Sequence, residues 1–105
     1  MRLHREEVEQ AKDRLRELLQ KLLRNSEQEL STDEKQELRE ILSVLTSIPL
    51  HSVGDTTVIA GARLALRLRK VEGKLVEIYY LIVWANGQVT LMDPATNLID
   101  LDMSV

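Results

Sequence analysis

The side chains in this 105-residue chain that could do chemistry are carboxylates, arginines and two histidines, and there is no cysteine. Without a thiol, a disulfide scaffold, a zinc–thiolate centre and a Cys nucleophile all drop out. His4 and His51 lie far apart, so no pair has the spacing that lets two imidazoles share a metal. Serine hydrolysis needs a Ser on a strained turn with a base and an orienting group, and no G-x-S-x-G occurs. The four glycines are well separated and form no phosphate-binding loop. Carboxylates are plentiful, but their spacing singles out no pair for general acid–base work. The chain is therefore expected to be no enzyme and to use no cofactor or metal.

Two charge clusters remain. Glu27, Glu29, Asp33 and Glu34 gather in one short stretch. At the tip of a hairpin they could meet a cation or a basic partner; the plainer reading is helix capping and solubility. Arg63, Arg67 and Arg69 form a basic stripe, with Lys70 and Lys74 following. The stripe fits an acidic partner, while the plainer reading is a solvated strand face with Arg67 paired to Glu77. Tyr79 is the one aromatic expected to share that face, which is too little stacking surface for single-stranded nucleic acid. A net charge of −3 also argues against non-specific nucleic-acid coating.

The elements that must position these groups follow from periodicity. Val8, Ala11, Leu15, Leu18 and Leu22, flanked by Leu19 and Leu23, step by three and four, which predicts a helix over Arg2 to Arg24. Asn25 to Leu30 breaks the pattern and reads as a connection. Ser31 stands three residues before Glu34, a capping box, and Leu38, Ile41, Leu42, Leu45 and Ile48 mark the apolar face of a second helix that Pro49 ends. Two such helices should pack antiparallel, stripe to stripe.

After Pro49 the period becomes two. Ala62, Leu64, Leu66 and Leu68 alternate with Arg63, Ala65, Arg67 and Arg69, a half-buried strand, with a shorter strand expected at Thr56 to Ala60. A three-residue loop, Val71-Glu72-Gly73, would pair Leu68 with Val76, Leu66 with Ile78 and Arg67 with Glu77. A two-residue turn at Asn86-Gly87 would pair Trp84 with Val89 and Ile82 with Leu91, putting Tyr80, Ile82 and Trp84 on the core face. The strand from Leu75 to Trp84 is apolar on both faces toward its end, so it wants cover on both sides. Leu98 to Met103 is a last turn of helix or an edge strand. The fold class is α+β: an N-terminal antiparallel helical hairpin (1–49), a linker (50–55) and a small antiparallel sheet of four to five strands (56–105), together compatible with one domain.

Hydrophobic residues make up 44% and charged residues 30%, a globular balance, and with one Trp, two Tyr and no Phe the core must be aliphatic. The charged opening residues show no signal peptide, and Ile78 to Ala85 is far short of the roughly 20 residues of a membrane span, so a cytoplasmic, membrane-free protein is expected.

The order of parts resembles the Gre-type transcript cleavage factors and their shorter relatives that bind RNA polymerase without cleaving. Ile59-Ala60-Gly61-Ala62-Arg63-Leu64 resembles the start of that family's sheet domain. Ile78-Tyr79-Tyr80-Leu81-Ile82-Val83 resembles its central strand, and Gly87-Gln88-Val89-Thr90-Leu91-Met92-Asp93-Pro94 resembles the hairpin that follows. The resemblance implies an FKBP-like sheet, bacterial RNA polymerase as protein partner, and a projecting hairpin with Glu27, Glu29, Asp33 and Glu34 as tip acids. A second helix of about 25 Å is short for carrying acids to a distant active site, so transcription regulation by binding is the expected function. The alternative is a small adaptor, immunity or inhibitor protein of phage or mobile-element type, acting through a protein–protein interface, with a homodimer among its forms.

Overall fold

The computed structural model describes residues 5–24, 30–95 and 97–105. The first helix, α1, runs Arg5–Arg24 and the second, α2, Thr32–Thr46. The expected start at Arg2 falls outside the described residues, as does His4. Along α1 the buried side chains are Leu15, Leu18, Leu19 and Leu22, the stripe that the spacing marks. Ser31 caps α2: its hydroxyl accepts from the Glu34 N–H at 3.1 Å, and the Glu34 carboxylate accepts from the Ser31 N–H at 3.0 Å. The expected capping box is thus present. α2 ends at a left-handed Ser47, φ 58°, one residue before the stretch that Pro49 excludes from the helix.

Two ion pairs clip the helices together. Arg14 grips Glu37 with Nε at 3.0 and 2.9 Å from its two oxygens and Nη2 at 2.8 Å. Lys21 Nζ lies 2.8 and 3.0 Å from the Glu34 oxygens. As the α1 number rises the α2 number falls, so the pair is antiparallel.

Five strands follow: β1 Ser52–Thr57, β2 Ala62–Glu72, β3 Leu75–Trp84, β4 Gln88–Met92 and β5 Leu98–Ser104. They form one antiparallel meander in the order β1-β2-β3-β4-β5. The expected linker gives way to strand from Ser52 onward. Its loop-like residues, Gly54 and Asp55, sit in a bulge between Val53 and Thr56, and Val53 pairs with Leu68 and packs on the core. Of the two readings of the chain end, the edge strand is the one formed.

Both expected hairpin registers are corrected. Val71 pairs with Val76, Lys70 with Glu77, Leu68 with Tyr79 and Leu66 with Leu81. The loop is Gly73-Lys74, with Gly73 at φ 59°, as a loop with a positive φ at its first central residue requires. Arg67 therefore faces Tyr80, not Glu77. In the next hairpin Val83 pairs with Val89 and Ile82 with Thr90 across a three-residue loop ending in Gly87 at φ 89°. The Asn86 side chain takes the Gln88 N–H at 2.9 Å, a local bond that holds the longer loop. The reason for both slips is the same. Seven successive residues of β3, Ile78 to Trp84, are apolar or aromatic, so alternation cannot choose its core face, and the turns choose it.

The odd-numbered face of β3 meets the helices. Leu15, Leu18, Leu19, Leu38 and Leu42 share one core with Leu66, Leu68, Tyr79, Leu81, Val83, Val89, Leu91, Leu101 and Met103. Both helices thus lie on the sheet. The projecting hairpin that the resemblance implies is not the arrangement here. Arg16 Nε reaches the Ser104 carbonyl at 3.0 Å and Arg39 Nη1 the Leu50 carbonyl at 3.4 Å, tying α1 to β5 and α2 to the approach of β1.

Two glycines test the turns separately. A Cβ on Gly73 would meet nothing within 4 Å, whereas one on Gly87 would lie 2.6 Å from the Val105 carbonyl oxygen. Gly73→Ala is expected to cost about 1–2 kcal/mol of backbone strain alone. Gly87→Ala should cost about 3 kcal/mol or more, because the strain is joined by a backbone collision. Thermal melts check this: the Gly87→Ala transition should fall clearly below that of Gly73→Ala.

Candidate functional site

The helices cover one face of the sheet and leave the other bare. The ladder places Arg67 and Arg69 of β2, Ile78, Tyr80, Ile82 and Trp84 of β3, Thr90 and Met92 of β4, and Leu98 and Asp100 of β5 on this second face. An antiparallel sheet with one solvated face normally shows polar side chains there. Here the centre is apolar and aromatic. Ala65, Ile82 and Thr90 are buried on it although no helix lies over them, and Trp84, Tyr80, Ile78 and Met92 are half-buried.

Trp84 organises the centre. Its indole Nε1 donates to the Thr90 hydroxyl at 2.9 Å, and its Cζ3 edge lies 3.9 Å from where a Cβ on Gly61 would stand. The ring therefore reaches from β4 to the turn before β2. Its one polar atom is satisfied, so what remains of the indole is apolar surface.

On the β2 flank the arginines open a cleft. A hollow of about 410 Å³ is lined by Ser52, Gly54, Arg67, Leu68, Arg69, Val76 and Ile78. A Cβ on Gly54 would stand 3.4 Å from Arg67 Nε, so the missing side chain leaves the guanidinium stem its place. Neither Arg67 nor Arg69 has an acidic partner among the described residues. Two unpaired guanidiniums beside apolar surface can take carboxylates in bidentate fashion. A second basic hollow of about 470 Å³ runs between α2 and β1, lined in part by Lys35, Arg39 and His51.

The residues singled out from the sequence fall in different places. Arg67 and Arg69 come together on the bare face. Arg63 is exposed but stands in the register shift between Ala62 and Leu64, so the ladder does not align it with the other two. Tyr79 lies on the opposite, helix-covered face, 7% exposed, donating its hydroxyl to Glu77 at 3.2 Å. Burial and that carboxylate push its phenol up. Lys70, not Arg67, faces Glu77, at 3.6 Å. The aromatics of the basic face are Tyr80 and Trp84. The signal that pointed to them was the two-sided apolarity of β3; its parity was the missing information.

The acidic cluster divides too. Glu27 and Glu29 lie outside the described residues. Asp33 is exposed in the first turn of α2. Glu34 is spent inside the fold: Lys21 and the Ser31 cap hold its carboxyl at about 2, far below the ordinary 4.5. Arg14 likewise lowers Glu37. Among the described residues no group of three His, Asp or Glu side chains is placed to hold a metal ion, and no helix is long and apolar enough to cross a membrane.

The class that this arrangement defines is a two-layer α+β domain with one bare, arginine-flanked apolar sheet face. No protein-family model matches the chain, and no curated protein or solved structure does so either.

Glu34 sets a pH prediction. A carboxyl depressed from 4.5 to about 2 adds stability above its unfolded value and loses it as pH falls toward its folded one. The thermal midpoint should therefore drop between pH 4.5 and 2. Glu34→Gln should melt lower than the wild type at neutral pH, and the gap should close toward the acid end of that window. Raised salt should narrow it at neutral pH, because the pair is partly exposed to the screening ions.

Proposed function

We propose that this protein is a non-enzymatic binding module that regulates a larger protein by occupying part of its surface. One observation carries the reading: the sheet face that the helices leave bare has an apolar, aromatic centre beside two arginines without acidic partners among the described residues. Apolar surface in a contiguous patch favours a protein partner, and the guanidiniums favour one with carboxylates at the rim of its site. Arg and aromatic side chains are also the residues that dominate binding energy at interfaces.

RNA polymerase is the partner named by the order of parts and by the strand motifs at Ile59 to Leu64, Ile78 to Val83 and Gly87 to Pro94. With both helices resting on the sheet, the hairpin tip does not lead this contact; the bare face does. An adaptor or inhibitor acting by surface occlusion uses the same face and the same chemistry.

A pull-down at low salt with the tagged chain tests both parts. Polymerase subunits should co-purify with the wild type and be lost with an Arg67→Glu, Arg69→Glu variant. Absence of polymerase from the wild-type sample sinks the polymerase version. Equal capture by the two chains sinks the arginine-flanked face as the contact.

A further inference from the structure

The bare face carries opposite charges on opposite flanks. Arg67 and Arg69 stand on β2, and Asp100 stands exposed on β5, in the same ladder row as Thr90 and Ile82. Asp100 Oδ1 accepts from the Asp102 N–H at 2.8 Å, which leaves its other oxygen to face outward contacts. Between the flanks lie the half-buried aromatics, and Val71, Val76 and Leu98 on this face are 38%, 46% and 57% exposed. A surface that is basic on one side, apolar in the middle and acidic on the other is complementary to itself.

We propose that a second copy of this chain covers the face, sheet against sheet, about a twofold axis that runs parallel to the strands between the two copies. The proposal rests on the reading of the bare face as the working surface and names its occupant in the free protein; a larger partner then competes with the second copy.

Charge selects the axis. Sheets pack face to face with their strands roughly aligned, about 10 Å apart. An axis along the strands lays β2 of one copy over β4 and β5 of the other, so each Arg67 approaches the flank that carries Asp100. An axis across the strands lays β2 over β2 and stacks arginine on arginine, a like-charge contact that opposes association. The first is isologous and closes at two copies. The size suits it: strands about 4.8 Å apart rising about 3.3 Å per residue make a face roughly 20 by 30 Å, the scale of one side of a specific interface. Tyr79, Leu81 and Val83, the other apolar row of β3, are already taken by the chain's own helices and play no part.

Light scattering and the fluorescence of Trp84, the only tryptophan, read the result. The wild type should show twice its 12.0 kDa mass, with Trp84 emission shifting to the red on dilution to monomer. Arg67→Glu and Asp100→Lys should each weaken the dimer by about tenfold or more, because each sets like charges against one another. Mixed in equal amounts, the two variants should pair with each other and restore the dimer, since every basic position then meets an acidic one. If Asp100→Lys melts early through loss of its bond to Asp102, Leu98→Asp replaces it, at a site exposed enough to spare the monomer's fold; it too should weaken the dimer. A wild type that stays monomeric at high micromolar concentration overturns self-pairing, while the pull-down still decides the face. A dimer that neither Arg67→Glu nor Leu98→Asp weakens places the contact elsewhere and overturns the proposal.

Discussion

β3 is apolar on both faces, and two helices can cover only one of them. Leucines on α1 and α2 bury the row Tyr79, Leu81 and Val83 together with Leu66, Leu68, Val89 and Leu91. Burial of each such side chain contributes roughly 1.5–3 kcal/mol, so this layer dominates the stability of the domain. The row Tyr80, Ile82 and Trp84 is left over by the same choice. Everything distinctive about the protein's surface follows from that division.

The leftover row is only partly protected by local means. The indole of Trp84 lies across the sheet, anchored on Thr90, and Ile82 and Ala65 are buried without any second layer. The long stem of Arg67 packs beside Gly54 on the β1 side. These devices lower the exposed apolar area without removing it.

The ion pairs have a different task. Arg14–Glu37 and Lys21–Glu34 are partly exposed, and pairs of that kind contribute about 0–1 kcal/mol each. Their value lies in register: each fixes how far α1 slides along α2, and Glu34 links that register to the start of α2 through its cap on Ser31. Of the acids that could have formed a charged tip, Glu34 is thereby drawn into the joint between the helices, while Asp33 stays exposed.

Much of this was legible from residue order alone. Three-and-four spacing determined the helices, the S-x-x-E box determined where α2 begins, and alternation with turn residues determined an antiparallel sheet after Pro49. These are local signals, set by the geometry of a single element. Strand register was not legible, because an apolar run such as Ile78 to Trp84 satisfies either parity equally well; a one-residue change in the loops at Gly73 and Gly87 turns every side chain to the other face. The start of β1 was hidden for a related reason, since Gly54 and Asp55 are loop residues that a bulge admits into a strand. The sequence by itself determined that β3 is apolar on both faces. Only the tertiary structure decided which of its faces the helices cover and which they leave uncovered, because that depends on turn geometry and long-range packing rather than on the identity of any one residue.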